Sequence, residues 1–367
     1  MHLNNLLKAI LWNLMINKKL SPSMFIGVRG KGIISFGSGE PDLPPPKKVL
    51  ECKANYNDFK YGLIAGQPEL RESLAEEFKK FKATKEDFVV TNGASEALDL
   101  AFRAICKPKD KILLHVPYYY SYKPLVEMNH FVPSFVQTHK GKIDIDEFEE
   151  KVHNAKAVLI NSPSNPTGRI QDIKTLKFIE KITQDLDIPL ISDEVYKDLI
   201  YERENYMLSG NHVVTINSFS KTFSMCGARV GYLYSNDRAI VNNVIKFKTH
   251  TSMNTNILAQ RMAYYATKVP QSFIDAHVKI WKQRRDLIYE GMLELGLEVW
   301  KPEGAFYILP KIKNPRQFVW DMFKKYKVIT YLGEWFGADD RVRFSYALNV
   351  EKIEEGFRRI KKYLANR

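Results

Sequence analysis

Cysteine is scarce in this sequence: Cys52, Cys106 and Cys226 are the three that occur among 367 residues. Three cysteines in a chain of this length cannot build a dense disulfide framework, and their spacing fits no metal-ligand pattern. We therefore expect no metal site, and we expect the protein to work in a reducing compartment, the cytosol.

Long uninterrupted hydrophobic runs are also missing. The apolar stretch Leu3–Ile16 ("LNNLLKAILWNLMI") is interrupted by Lys8 and Asn13, is too short to span a bilayer and lacks a small-residue cleavage site. It predicts an amphipathic helix, although a helix lying on a membrane surface has the same pattern. We expect no membrane partner. The sequence shows no internal repeat and no low-complexity tract.

Acidic residues are fewer than basic ones, 42 Asp+Glu against 55 Lys+Arg, which gives a net charge of +13. Such an excess is compatible with nucleic-acid binding. The basic residues, however, are dispersed and mixed with acids in segments such as "FKKFKATKED" and "KIWKQRR", as on solvated helix faces. We therefore expect no nucleic-acid partner, and a few cations are enough for an anionic cofactor or substrate.

From about Phe88 onward, short β-rich runs alternate with helical stretches. The runs are "DFVV", "KILLHV", "AVLI", "IPLISD", "HVVTI" and "VGYLYS". Helices are predicted at Ser95–Ile105, Ile173–Thr183 and Asp237–Lys248, which are long enough for crossover connections. This alternation predicts an α/β fold, a doubly wound core whose mainly parallel sheet is sandwiched by helices.

The length of the chain predicts two packed units, because it exceeds the size at which one hydrophobic core stops growing. After Pro270 the pattern changes to a long amphipathic helix, the short strands "AFYIL" and "RVRFSYAL", and a closing helix. The turn-rich segment Gly37–Lys48 predicts a loop. We expect an N-terminal arm with part of the small domain in 1–45, a large cofactor-binding domain in 46–265 and a small α+β domain in 266–367.

Polar residues follow four of the predicted strands, and ligands of α/β sheets bind beyond the carboxyl ends of the strands. After "DFVV", Ala94 and Ser95 open a helix whose N–H groups can bind an anion, but an ordinary serine N-cap followed by Glu96 explains the same letters. After "AVLI", turn chemistry explains the prolines and glycine of "NSPSNPTG". It does not explain Asn165, whose amide can bond a ligand.

The other two strand ends carry charged groups. Asp193 and Glu194 follow the apolar run of "IPLISD", where a partly buried carboxylate needs a cationic or hydrogen-bonding partner. After "HVVTI" come Ser218, Lys221 and Arg229. A desolvated lysine can attack carbonyl compounds as an amine, and an arginine offers paired hydrogen bonds to a phosphate. By itself the lysine would be explained as a surface residue of a serine-rich loop. We predict that all four strand ends converge on one site.

In this order and spacing, the segments resemble the fold-type I pyridoxal 5′-phosphate (PLP) enzymes, and among them the class I/II, aspartate aminotransferase-like enzymes. The resemblance extends from about Ser21 to the C-terminus and includes "SGEPDLPPP", "YGLIAGQPELRESLA", "TNGASEAL", "PYYYSY", "NSPSNPTG", "SDEVY", "SFSKTFSMCGARVGY", "PEGAFY" and "RVRFSYA". It implies PLP as the cofactor. It also implies a ping-pong exchange of an amino group between an L-amino acid and a 2-oxo acid such as 2-oxoglutarate.

The resemblance implies how matching residues would bind the cofactor. Lys221 would bind PLP covalently and move a proton at the substrate Cα, and Asp193 would pair with the ring nitrogen. Asn165 and Tyr196 would bond the ring oxygen, and Tyr119 would stack on the ring. Four residues would hold the phosphate: Ala94, Ser95, Ser218 and Arg229. Tyr61 would reach the phosphate of the neighbouring subunit, which implies a homodimer.

The resemblance also implies a substrate grip. Arg343 would hold the α-carboxylate together with Asn165, and the backbone of Gly39 would close over it. Arg341, two residues earlier, is expected to be structural. Aspartate is slightly favoured as the donor, because many enzymes with the "GEPD" loop use it. Ser95, however, stands where some aspartate-specific members have a lysine.

Other donors and other activities stay open at this point. The tyrosines 118–120, with Phe306 and Tyr307, also suit alanine or aromatic donors, or simply pack the site. A carbon–sulfur lyase or an amino-acid phosphate decarboxylase would share the fold. A basic DNA-binding regulator is the weaker alternative, because such proteins carry a further domain and about 20 residues precede "LSPSMF".

Overall fold

The computed structural model describes residues 21–26, 28–52, 56–57, 59–202 and 205–365. The amphipathic helix predicted at Leu3–Ile16 lies outside these residues. Within them, no helix combines the length and the apolar character needed to cross a membrane.

The strands are β1 Ile34–Ser35, β2 Phe88–Thr91, β3 Lys111–His115, β4 Val132–Val136, β5 Thr138–His139, β6 Lys142–Ile143, β7 Ala157–Asn161, β8 Leu190–Asp193, β9 Val213–Ser218, β10 Gly231–Tyr234, β11 Tyr307–Ile308, β12 Val328–Ile329, β13 Tyr331–Leu332 and β14 Val342–Ser345. The α-helices are α1 Lys47–Glu51, α2 Pro68–Glu77, α3 Ala94–Ile105, α4 Tyr122–Met128, α5 Ile145–Val152, α6 Ile173–Asp185, α7 Arg238–Thr249, α8 Ile257–Ala266, α9 Gln271–Glu294, α10 Pro315–Tyr326 and α11 Val350–Ala365.

The largest sheet has the order β2-β10-β9-β8-β7-β3-β4. Strands β9, β8, β7, β3 and β4 run parallel to one another, and β10 runs antiparallel to both of its neighbours. The predicted mainly parallel sheet is thus confirmed. The prediction of a parallel strand was nevertheless wrong for "VGYLYS", which contains β10. The chain returns to the sheet directly after β9, so β10 pairs with β9 antiparallel.

Helices cover both faces of this sheet, as predicted. One apolar cluster joins one face to α3 and α7, through residues such as Phe102 and Val244, and another joins the opposite face to α5 and α6, through residues such as Phe148 and Ile179. Strands such as β7 are buried along their whole length, which explains their continuous apolar sequences. The start of α7 is fixed by Asp237, whose carboxylate accepts hydrogen bonds from the first N–H groups of the helix.

A second unit is built from the C-terminal third of the chain. The strands β11, β14 and β13 form an antiparallel sheet, and α9, α10 and α11 pack around it through residues such as Trp281, Phe318 and Ile353. The early strand β1 joins this unit by pairing in parallel with β12. The segment predicted as a loop over Gly37–Lys48 has no helix or strand as far as Pro46, and α1 begins at Lys47.

The topology places several strand ends side by side. The parallel strands β7, β8 and β9 end at Asn161, Asp193 and Ser218, and β10 begins at Gly231 opposite Ser218. The loop that follows β1 carries Gly39 toward the same edge, where its carbonyl meets the side chain that follows β9. This edge is where the candidate site lies.

Candidate active site

A cavity of about 430 Å³ opens at the carboxyl edge of the large sheet. It is lined by residues from both units, since the early loop and β14 contribute as well as the sheet. The sequence-predicted site residues that line it are Gly39, Ala94, Ser95, Tyr119, Asn165, Asp193, Tyr196, Ser218, Lys221, Arg229 and Arg343. Residues up to 304 positions apart in sequence therefore meet in one space.

Lys221 lies in the turn that follows β9, and its side chain is half-buried. Its Nζ donates a 2.7 Å hydrogen bond to the carbonyl oxygen of Gly39 and lies 3.8 Å from Sγ of Cys226. No carboxylate of the described residues is paired with this ammonium by a hydrogen bond or ion pair, whereas the buried cations Lys248, Arg284 and Arg285 each have a carboxylate partner. The amine therefore faces the cavity, next to the early loop.

Gly39 can hold this position because it has no side chain. A Cβ at residue 39 would lie 1.8 Å from the hydroxyl oxygen of Tyr307, which is far inside van der Waals contact. The backbone of the early loop thus passes directly against Tyr307 at the wall of the cavity, and any larger residue would force the loop or Tyr307 to move.

Asp193 is buried at the end of β8, and its carboxylate is bound on both oxygens. Oδ2 accepts a 2.5 Å hydrogen bond from the hydroxyl of Tyr122, and Oδ1 accepts one from the backbone N–H of Val195 at 3.2 Å. Burial raises the pKa of Asp193 to about 6, against the lowering effects of these hydrogen bonds and of the charge of Lys221. A cationic partner in the cavity would keep this carboxyl ionised.

Tyr122 was missed in the sequence analysis. It is fully buried at the start of α4 and lines the cavity beside Asp193. The signal was its place at the end of "PYYYSY", but only the structure shows which tyrosine of this stretch reaches the carboxylate.

Glu194 does not share the site with Asp193, and the predicted convergence was wrong for this residue. Its carboxylate accepts hydrogen bonds from Ser192 Oγ at 2.7 Å and from Asn205 Nδ2 at 3.1 Å, and it does not line the cavity. Burial raises its pKa to about 7. Successive residues at a strand end point in opposite directions, which separates the two neighbours.

Arg343 of β14 is buried at the far side of the cavity. Its Nη1 donates to Oδ1 of Asn165 at 2.9 Å, and its Nη2 donates to the carbonyl oxygen of Gly37 at 2.5 Å. Its Nε has no hydrogen-bond partner among the described residues. The guanidinium carbon lies 4.5–4.8 Å from the centres of the rings of Tyr307, Tyr331 and Phe336. A buried guanidinium whose partners are neutral is suited to bind an anionic substrate group.

Arg341 does not line the cavity. Residues two apart in a strand share a face, so alternation along the strand is not the reason; Arg341 lies before the first residue of β14. Its Nη2 lies 2.6 Å from Glu298 Oε1, its Nη1 donates to the carbonyl oxygen of Leu309, and its guanidinium stacks on Trp300 at 4.0 Å. These contacts belong to the packing of the C-terminal unit.

The opposite end of the cavity is cationic and lies at the start of α3. The helix begins at Ala94 with Gly93 as its N-cap, so the serine N-cap considered from the sequence was wrong, and exposed Ser95 is the second residue of the helix. Arg229 reaches across this N-terminus and donates to the carbonyl oxygen of Asn92 at 3.4 Å. A Cβ on Gly93 would lie 2.6 Å from Arg229 Nη2. Backbone N–H groups and a guanidinium here form a site for a phosphate.

The remaining predicted residues differ in position. Tyr196 is buried, and its hydroxyl lies 2.9 Å from that of Tyr307. Tyr119 packs edge-on against the ring of Tyr122. Tyr61, in contrast, does not line the cavity and is 84% exposed. Tyr61 is therefore not part of the cavity of its own chain.

Residues 31–360 match the model of the protein family described as "Aminotransferase class I and II". This match covers most of the chain. The chain belongs to the class I and II aminotransferases.

The relatives of this chain are named for different amino-acid substrates. The chain is 34% identical to a probable aspartate aminotransferase of Methanocaldococcus jannaschii, with 89% of this chain and 92% of that protein covered. It is 31% identical to aromatic-amino-acid aminotransferase 2 of Thermococcus litoralis, with 95% and 96% covered.

Solved structures of aminotransferases share the fold. The aspartate aminotransferase of Thermotoga maritima superposes with a TM-score of 0.88 at 32% identity, covering 96% of both chains. The alanine aminotransferase of Pyrococcus furiosus superposes with a TM-score of 0.86 at 32% identity, covering 94% of this chain and 95% of that one. The fold predicted from the sequence is confirmed.

This aminotransferase is PLP-dependent and exchanges amino groups between amino acids and 2-oxo acids, as its family does. The cavity fits the cofactor, since it offers an amine at Lys221, a buried carboxylate at Asp193 and a cationic helix N-terminus beside Arg229. The predicted transaminase activity and cofactor are thus confirmed, while the donor is not distinguished among the named relatives.

Proposed function

We propose that Lys221, Asp193 and Arg343 divide the work of transamination. When bound, PLP supplies an electron sink that stabilises negative charge at the substrate Cα. Lys221 Nζ would hold the cofactor covalently and, once released, would move the proton between the substrate Cα and the cofactor C4′. The carbonyl of Gly39 accepts a 2.7 Å hydrogen bond from Nζ and holds the amine at the cavity wall. The single observation that carries this proposal is the meeting of these side chains in one cavity.

The proposed cofactor contacts follow from the two ends of the cavity. Asp193, oriented by Tyr122, keeps the ring nitrogen protonated, and Asn165 and Tyr196 bond the ring oxygen while Tyr119 stacks on the ring. The phosphate is held by Ala94, Ser95, Ser218 and Arg229. Their placement around the start of α3 and the end of β9 supports this assignment.

The proposed substrate grip is Arg343, with Asn165 and the backbone of Gly39 beside it. The α-carboxylate supplies the anion that the buried guanidinium lacks among the described residues. We propose an L-amino acid donor, with aspartate slightly favoured over alanine or an aromatic amino acid, and 2-oxoglutarate as an acceptor. The names of the relatives support each of these three donors.

Absorbance spectra of the purified protein with single amino acids test this function. The band of bound PLP should convert to that of pyridoxamine phosphate with one of aspartate, alanine or tyrosine, and 2-oxoglutarate should restore it. Lys221→Ala should lose turnover by at least about 10²–10⁴-fold while its thermal unfolding is unchanged. Substantial transamination by this variant refutes the role of Lys221. Release of ammonia and pyruvate from cystathionine without a keto acid would instead favour the lyase.

We also propose a homodimer in which Tyr61 completes the partner's phosphate site. Three large side chains within five positions, Phe59, Tyr61 and Leu63, are 86%, 84% and 55% exposed. Apolar surface of this kind is typical of an interface.

We further propose the domain division 1–45, 46–265 and 266–367, which the pairing of β1 with β12 supports. We also propose a cytosolic location, which the free cysteines support.

Mixed dimers distinguish this proposal from a role of Tyr61 within its own chain. Subunits with Tyr61→Ala are mixed in equal amounts with subunits carrying Lys221→Ala, after denaturation and refolding together. If Tyr61 acts across the interface, half of the sites in each hybrid dimer are intact, and about a quarter of wild-type activity returns. If Tyr61 acts within its own chain, hybrids have no fully intact site and no activity returns. Refolded wild-type protein is the control for recovery.

A further inference from the structure

Lys248, near the end of α7, is a lysine whose side chain has no solvent exposure. Burial of an ammonium is unfavourable unless the group is paired and hydrogen-bonded. Its neighbour on the same helix, Lys246, is exposed, which is the ordinary place for a lysine. Lys248 is therefore an unusual buried charge, and it lies behind the start of α3.

The partners of Lys248 connect it to the phosphate end of the cavity. Its Nζ donates to Glu96 Oε2 at 3.0 Å and to Ser252 Oγ at 2.9 Å. The same Oε2 accepts the backbone N–H of Asn92 at 2.6 Å and its Nδ2 at 3.1 Å. The carbonyl of Asn92 in turn accepts a hydrogen bond from Arg229. An unbroken series of polar contacts thus links α7 to Arg229.

The charge of this network matters as well as its geometry. Glu96 lies in the first turn of α3, directly after Ala94 and Ser95. Burial alone would raise the pKa of Glu96, but hydrogen bonds from Ser252 and Asn92 and the charge of Lys248 outweigh burial and lower it. The carboxylate is therefore ionised, and without a cation beside it a phosphate bound at the same helix start would be repelled.

We infer that Lys248 is a positioning residue for the cofactor phosphate: it neutralises Glu96 and, through Glu96 and Asn92, fixes the start of α3 and Arg229. This inference rests on the proposed phosphate site. Lys248 itself does not line the cavity. Its effect is thus expected on ligands that carry a phosphate and not on those that lack one.

The test compares PLP with pyridoxal, which has the same ring and aldehyde but no phosphate. The dissociation constants of both are measured by absorbance titration of the cofactor-free protein. Lys248→Met should bind PLP roughly tenfold more weakly, the change that about 1.4 kcal/mol produces, and should bind pyridoxal as the wild type does. Lys246→Met, which removes the same charge from the same helix, should change neither constant.

A second variant keeps the test decisive if Lys248→Met fails to fold, since removal of one partner from a buried ion pair is strongly destabilising. The double variant Lys248→Gln with Glu96→Gln removes both charges and retains hydrogen-bonding groups. It should fold, and its dissociation constant for PLP should stay within about threefold of the wild-type value. This is a smaller change than the roughly tenfold weakening, or about 1.4 kcal/mol, expected for Lys248→Met.

Equal weakening of PLP and pyridoxal by Lys248→Met would overturn the inference, as would unchanged PLP binding by a folded variant. A folded double variant that binds PLP roughly tenfold more weakly than the wild type would also overturn it. The wild type separates this result from the proposed function. If it binds PLP with the expected phosphate dependence but transaminates none of the tested amino acids, the proposed function fails and the role of Lys248 stands.

Discussion

The hydroxyl of Tyr122 lies 2.5 Å from Oδ2 of Asp193, 71 positions later in the chain. The tyrosine comes from the start of α4 and the aspartate from the end of β8, and both line the cavity. A hydrogen bond donated to a carboxylate stabilises its ionised form. Tyr122 therefore orients Asp193 and opposes the effect of burial on its pKa.

Substitution of Tyr122 by phenylalanine tests this relationship. Without the hydroxyl, one of the interactions that lower the pKa of Asp193 is lost, so its pKa should rise and the acidic limb of the kcat profile should move to higher pH. We expect kcat at neutral pH to fall about 10–100-fold, which corresponds to roughly 1.4–2.7 kcal/mol. Tyr118→Phe, in the same stretch but outside the cavity, is the matched control and should leave the profile in place. An unshifted profile for Tyr122→Phe would contradict the role.

Replacement by lysine should affect substrate binding at Arg343 and stability at Arg341. Arg343→Lys loses the paired geometry toward a carboxylate, so KM for the amino acid should rise about 10²-fold, or roughly 2.7 kcal/mol. Arg341→Lys loses its stacking on Trp300 and its contact with Glu298, so it should lower the unfolding temperature and leave KM unchanged. Steady-state kinetics and thermal unfolding of both variants distinguish the two. A larger rise in KM for Arg341→Lys would reverse the assignment.

The early loop should tolerate no side chain at residue 39. In Gly39→Ala the new Cβ would overlap the hydroxyl of Tyr307, so the loop or Tyr307 must move, and both line the cavity. We expect kcat/KM to fall at least about tenfold, or ~1.4 kcal/mol. Gly227→Ala is the control, because a Cβ there meets nothing within 4 Å. Equal activity of the two alanine variants would show that the loop is not held against this wall.

Glu194 gives a prediction for stability and pH. Its pKa is raised by burial from 4.5 to about 7, so folding favours its protonated form. This contribution to stability is complete below about pH 4.5 and is lost as the pH rises through about 7. As the pH rises through this range, the free energy of unfolding of Glu194→Gln should therefore increase relative to that of the wild type by on the order of 3 kcal/mol. Urea unfolding at a series of pH values measures the difference, with exposed Glu290→Gln as a control that should show no trend.

Much of the large sheet could be predicted from the sequence because its parallel strands are buried on both faces. Runs such as "KILLHV" and "AVLI" carry that burial in their composition. Strand β4 was not predicted, since Pro133 argues against a strand, and it is tolerated there because β4 is at the edge of the sheet. The direction of β10 depends on the path of the chain and has no local signal.

The candidate site could be predicted as far as its motifs extend. Lys221, Asp193 and Arg343 follow strands or lie in them within recognisable segments. Tyr122 could not be assigned, because several tyrosines stand together and only packing selects one. Lys248 gave no signal either: in "IKFKTH" it differs from Lys246 only by the side of the helix that it occupies.

The pairing of β1 with β12 has a consequence for the order in which the protein is made. The loop with Gly37 and Gly39 leaves the ribosome early, but the strand that fixes it and the arginine that Gly37 binds are translated in the last part of the chain. Phe36 also bonds Ile329 and Ser345 on its two sides. All strands of the large sheet are therefore translated before the residues that hold the early loop, so the contacts of Phe36 and Gly37 can form only after the C-terminal unit has been made.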